Sequence, residues 1–212
     1  LVLPYVATAR EGVKRLAELL ETYGTYESNG IIISDVDEIW YVETIGGHHW
    51  IARRVPDEKC AIIPNQLGID YFDFDDAFSD AREFMCSADL PEFIERHRLG
   101  RAAGAQGGMN GSHCDPRIIF GTATTKDHIY NTPRAWYMHR YLNPADTEGH
   151  TPESDDIPWC VELENAVTIE DVDFLLGSHF EGTPYDPYGT QGTSESRHRY
   201  RPIGINRTGH MV

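Results

Sequence analysis

The stretch from Asp37 to Asn65, DEIWYVETIGGHHWIARRVPDEKCAIIPN, restricts the fold more than any other part of this chain. Trp40, Val42 and Thr44 alternate with Ile39, Tyr41, Glu43 and Ile45, the two-residue period that sends successive side chains to opposite faces of a strand. Gly46-Gly47 can supply the positive φ values of a tight hairpin turn. A return strand through His49, Ile51 and Arg53 is expected, followed by a short apolar strand, Cys60 to Ile63, that stops at Pro64-Asn65. An amide held just past a buried strand is well placed to donate a hydrogen bond to a substrate, which makes Asn65 the first candidate functional residue.

The flanking segments add helices to this sheet. From Pro4 to Tyr23, Val6, Ala9, Val13, Leu16, Ala17 and Leu20 recur at helical spacing and Gly24 offers a C-terminal cap. Ile31-Ile32-Ile33 reads as a short buried strand, and a helix followed by antiparallel strands fits a layered α+β domain. The stretch YFDFDDAFSDAREFMCS shows no sustained period, a helix is expected from Leu90 to Leu99 with Asp89 as cap and Pro91 in its first turn, and GRAAGAQGGMNGSHCDP reads as a mobile loop. Residues 70–116 are therefore expected to form a covering insertion outside the sheet. The glycines follow a helix and lack a Lys-Ser/Thr pair, so they do not form a phosphate-binding loop.

Further on, Asn131-Thr132-Pro133 should open a helix that Asn143-Pro144 ends, and Thr168 with Asp171 resembles a capping box. The turn-rich segment from Glu181 to Thr193 could line a substrate pocket or serve as a packed connector. No internal repeat is present, and residues 1–212 read as a single domain.

Composition excludes several function classes. A formal net charge of -16 argues against a nucleic-acid partner, because phosphate binding requires clustered Lys and Arg. No stretch approaches the ~20 apolar residues that span a bilayer, so no membrane partner is expected. Cys60, Cys86, Cys114 and Cys160 show no C-x-x-C pairing and read as reduced, mostly buried thiols. His48 and His49, adjacent on a strand, point to opposite faces and are poorly arranged to chelate one ion. His113-Cys114 carries no stronger metal signal, and no metal or other cofactor is expected.

Longer motifs connect the chain to a known family. ETIGGHHWIARRVPD, IPNQLGIDYFD, YNTPRAWYMHRYLNP, GTPYDPYG and RYRPIGINRT, in this order, resemble the dipeptidase family of the N-terminal-nucleophile hydrolases, which also includes the secernins. The resemblance spans nearly the whole chain. It implies a four-layer αββα sandwich and a catalytic cysteine exposed at a processed N-terminus, whose own α-amine acts as base. This chain begins at Leu1 and ends at Met211-Val212, within an expected strand. Both ends therefore read as cut, and the nucleophilic Cys and first strands are expected upstream. None of the four internal cysteines has the free amine that this chemistry uses.

The resemblance also implies roles for two residues present here. Asn65, in IIPNQ, would hold the substrate or stabilise the oxyanion, and Arg207, in INRTGH, would keep the absent thiol as thiolate. The expected activity is hydrolysis of the amide bond of a dipeptide through an acyl-enzyme, with a short peptide as the small-molecule partner. A secernin-like non-peptidase role in secretion or protein interaction, or an acylase-type amide hydrolase, are the alternatives. Exposed edges of an incomplete sheet would favour self-association, so a homo-oligomer is an expected partner. The compartment stays open, with the cytoplasm as the default.

Overall fold

The first helix starts later than its apolar spacing suggests. In the computed structural model, which describes residues 1–100 and 108–205, Leu3–Tyr5 forms a 3-10 turn and α1 runs only over Ala9–Tyr23. Thr8 sets the boundary: its backbone is extended and its side chain accepts from the Glu11 N–H at 3.1 Å, satisfying an otherwise orphaned donor. Gly24, at φ 71°, ends the helix and donates its N–H to Leu20 O at 2.7 Å.

The described residues group into two units, one of residues 1–61 and 67–122, the other of residues 62–66 and 123 onward. The first is built on a four-stranded antiparallel sheet. Its strands are β1 (Gly30–Ser34), β2 (Ile39–Gly46), β3 (His49–Val55) and β6 (Phe84–Cys86), in the order β1-β2-β3-β6. Gly46 at φ 144° and Gly47 at φ 58° make the β2–β3 turn, as the paired glycines predict, with a register shift between Thr44 and Gly46.

One face of this sheet packs on α1. Trp40, Val42, Trp50, Ala52 and Met85 join Ala9, Val13, Ala17, Leu20 and Ile33 in a single core. The alternation in β2 leaves Tyr41 and Glu43 for the opposite face, yet both are also buried. Two-sided burial makes β2 an interior strand of the unit. The result is an α+β arrangement with antiparallel pairing.

Two boundaries in this unit differ from the sequence expectation. The apolar strand after the hairpin, β4, covers Lys59–Ala61 rather than Cys60 to Ile63, although Ile62 still donates its N–H to Trp159 O. Phe84–Cys86, inside the stretch expected to cover the sheet, instead pairs with β3 through Ile51↔Cys86 and Arg53↔Phe84. Asp76 makes this possible, accepting from the backbone N–H groups of Arg82, Glu83 and Phe84 at 2.9–3.1 Å and so presenting the strand. A three-residue strand is too short to show its period in sequence.

The rest of residues 70–116 forms small elements. β5 (Phe72–Asp73), β7 (Met109–Asn110) and β8 (His113–Cys114) make a ribbon in the order β5-β8-β7. α2 (Phe74–Ala77) is capped by the Asp73 side chain. α3 spans Leu90–His97 and ends at Arg98 in the left-handed region, before the expected Leu99. Asp89 precedes it but makes no side-chain cap; its carboxylate faces His49 Nε2 at 3.3 Å instead. α4 (Pro116–Phe120) is capped by Asp115. Part of the glycine-rich loop, residues 101–107, lies outside the described residues.

In the second unit the regular elements are mostly helices. α5 (Asp127–Tyr130) leads into α6 (Thr132–Leu142), bounded by Asn131 and Asn143 as the Asn-Thr-Pro and Asn-Pro signals predict. A short strand, β9, covers Cys160–Glu162. α7 (Ile169–Gly177) begins at the expected capping box, with Thr168 Oγ1 accepting from Asp171 N and the Asp171 carboxylate accepting from Thr168 N at 2.8 Å. α8 covers Ser194–Arg197.

The core of this unit is Trp136, Tyr137, Ile157, Leu175, Phe180 and Tyr200, with Tyr185 and Ile203 against it. The turn-rich segment packs at Thr183, Tyr185 and Asp186, whereas Tyr188 and residues 190–193 are exposed. Asp186 is buried, bonds His179 Nδ1 at 2.8 Å and accepts from Tyr188 N, while Tyr185 meets the Trp136 ring edge-on. Among the described residues, no helix is long and apolar enough to cross a membrane.

Candidate active site

Asn65 sits at a bend just after Ile62-Ile63-Pro64, exposed to solvent. The segment before it is anchored, since Ile62 donates its N–H to Trp159 O at 3.1 Å. The Asn65 side chain is anchored too. Its Oδ1 accepts from Arg134 Nη2 at 2.9 Å. A guanidinium has donors and no acceptor, so the group facing it must be the amide oxygen, and the Nδ2 donor is left for another partner.

Arg134 is held in turn by the residues that open α6. The same Nη2 donates to Asn131 Oδ1 at 2.9 Å, and Nε donates to Tyr130 O. Asn131 is buried and passes Nδ2 to Asp127 Oδ1 at 2.7 Å. Asp127, also buried, accepts at Oδ2 from Thr124 N at 2.9 Å and Thr124 Oγ1 at 2.7 Å. Burial, and then repulsion from Arg201, lowers the Arg134 pKa, though a guanidinium stays charged at neutral pH. The Arg201 guanidinium lies over the Tyr130 ring, 5.2 Å from its centroid. Arg201 is therefore near enough for its charge to act on Arg134.

In the sequence Arg134 and Asp127 stood out for no role, and Asn131 only for opening a helix. Their signal was present: they recur at i, i+4 and i+7 from Asp127, a spacing that places polar side chains on one helical face. Arg207 lies outside the described residues.

Cys86 and Cys114 are poor nucleophiles. Burial, followed by nearby acidic groups, pushes Cys86 and Cys114 each up to about 12, and burial raises Cys60. A thiol in that range carries almost no thiolate at neutral pH. His48 Nδ1 lies 3.1 Å from Leu20 O, closing the C-terminus of α1, whereas His49 stacks on Phe93 with ring centroids 3.9 Å apart. The adjacent histidines thus serve separate contacts. His113 pairs with the Tyr71 hydroxyl at 3.1 Å, on the rim of an open cavity of about 540 Å³ that Asp70, Cys114 and Asp115 also line.

A second polar feature is fully buried in the sheet unit. Glu43, on β2, accepts at Oε1 from the N–H groups of Gly68 at 2.6 Å and Ile69 at 3.2 Å. Its Oε2 has no partner in good hydrogen-bond geometry among the described residues, although the Tyr41 hydroxyl is near enough to the carboxylate to favour its charged form. Burial raises this carboxyl to about 7 despite the two backbone donors, the Tyr41 hydroxyl and the Arg117 charge, all of which act to lower it.

Comparison with known proteins places the chain. The model of peptidase family C69 matches residues 1–212. A dipeptidase of Bifidobacterium longum is 55% identical over 218 residues, covering 100% of this chain and 40% of its own length. A probable dipeptidase A of Streptococcus pyogenes serotype M1 is 50% identical over 98% of this chain and 42% of its own length, and dipeptidase A of Lactobacillus helveticus is 48% identical over 98% and 41%. The chain therefore spans about 40% of the length of these relatives. A match along every residue, together with identities near one half, identifies this chain as a member of peptidase family C69.

Proposed function

We propose that this chain is part of the catalytic domain of a cysteine dipeptidase with the αββα architecture of N-terminal-nucleophile hydrolases. The observation that carries the reading is the Asn65 carboxamide, turned by Arg134 so that its donor is available to substrate. The names of the relatives, dipeptidases in Bifidobacterium and Lactobacillus, support peptide hydrolysis as the activity.

In this reading the nucleophilic thiolate comes from an upstream segment. It attacks the peptide carbonyl carbon, forming a C–S bond and placing negative charge on the carbonyl oxygen. Asn65 Nδ2 donates to that oxygen, and the charge of Arg134 reinforces the donor. Collapse breaks the C–N bond, the leaving amine takes a proton from the N-terminal ammonium, and water then cleaves the acyl-enzyme. Arg207 favours the thiolate by its charge.

Asn65→Ala in the full-length protein tests this. Loss of one oxyanion donor should lower kcat for a dipeptide by roughly 10²–10³, with the melting temperature unchanged because the side chain is exposed. Near-normal turnover combined with a lowered melting temperature would make Asn65 a turn former and remove it from the mechanism.

A further inference from the structure

We infer that Arg134 is a positioning residue for Asn65, acting at the end of a hydrogen-bond relay, Thr124–Asp127–Asn131–Arg134–Asn65, whose polarity fixes which end of the Asn65 amide meets the substrate. The inference rests on the oxyanion role proposed for Asn65 and adds how that role is enforced.

The polarity follows from the donor inventory of each group. The Asp127 carboxylate only accepts, so Asn131 must present Nδ2 to it, which turns Asn131 Oδ1 towards Arg134. The two protons on Arg134 Nη2 are then divided, one to Asn131 Oδ1 and one to Asn65 Oδ1, each at 2.9 Å. The Nε–H of the same planar group goes to Tyr130 O, so the guanidinium cannot rotate without losing a bond. Each link therefore leaves one orientation for the next.

This matters because the terminal torsion of an asparagine is broad and nearly two-fold. An unrestrained Asn65 would spend part of its time with Oδ1 towards the reacting carbonyl, where its lone pairs repel the developing oxyanion. The relay removes that state before substrate arrives. It also gives buried Asp127 and Asn131, each 6% exposed, a role beyond opening α6. Asp127 is capped by Thr124 through both N–H and hydroxyl, so the carboxylate that starts the relay is itself held.

The test is a double-mutant cycle on the full-length enzyme with a dipeptide substrate. Arg134→Ala should lower kcat by roughly 10–100-fold with a smaller change in KM, as expected when a reacting donor is misplaced. In the Asn65→Ala background the same substitution should change kcat by no more than about twofold, since the group it acts through is gone. Added guanidinium ion should restore part of the activity of Arg134→Ala and none of that of the double variant. Asp127→Asn, which keeps the shape of the relay and allows its polarity to reverse, should lower kcat several-fold, again only when Asn65 is present, and it serves if Arg134→Ala folds poorly. Independent, additive losses at Asn65 and Arg134 would overturn the positioning role and leave the oxyanion role standing. A silent Asn65→Ala would overturn both.

Discussion

Glu43→Gln should make the protein more stable in alkaline solution, by an amount the structure sets. Glu43 is fully buried, and its carboxyl is raised by burial from the ordinary 4.5 to about 7. The folded state thus holds this proton more tightly than the unfolded chain does. The stabilisation is complete below about pH 4.5 and is lost as pH rises towards 7, the reverse of the usual behaviour of a paired carboxylate. At 1.36 kcal/mol per pKa unit the whole window is worth about 3 kcal/mol, of which about 2.5 kcal/mol falls between pH 5 and pH 8. Glutamine keeps the Oε1 acceptor for Gly68 and Ile69 and has no charge to desolvate. Urea unfolding of wild type and variant at pH 5 and pH 8, followed by circular dichroism, gives the difference directly, and subtraction cancels every other titrating group. The stability of the variant relative to wild type should rise by about 2–3 kcal/mol between the two pH values. A difference that stays constant within about 0.5 kcal/mol would show that Glu43 titrates normally, and that its buried site is open to water.

Two further outcomes complete the set. Burial pushes Asp76 up, but the backbone N–H groups of Glu83, Phe84 and Arg82 outweigh it and hold this carboxyl below the usual range, so its contribution is present above about pH 4 and lost in acid. Asp76→Ala should accordingly cost about 1–3 kcal/mol at pH 7 and progressively less below pH 4, read by urea unfolding; an equal cost at pH 3 would contradict the assignment. Arg207→Ala in the full-length protein should shift the acidic limb of the kcat/KM pH profile upward, because the thiol would lose a stabilising cation, and an unmoved profile would separate Arg207 from the nucleophile.

The sequence alone determined the elements whose signals are local. The alternation from Ile39 to Ile45 and the Gly46-Gly47 turn define a hairpin whatever surrounds them, because side-chain period and positive φ are properties of a few consecutive residues. The bounds of α6 and the capping box of α7 were legible for the same reason: Pro133, Asn143 and Thr168 satisfy or remove backbone donors within one turn. The long motifs also carried the family, which the whole-chain match bears out.

What only the tertiary structure decided depends on residues distant in sequence. Phe84–Cys86 is a strand because the Asp76 carboxylate and the open edge of β3 meet it, and three residues contain no period to read. Glu43 looked like one polar position in an alternating strand; the backbone of Gly68 and Ile69 closes over it and turns it into a buried, proton-holding group. Asn65 was visible as a polar residue after a proline, but an amide has two ends, and sequence does not say which end is tied down by the fold. Arg134, 69 residues away, decides that through a single bond whose direction is set by the absence of any acceptor on a guanidinium.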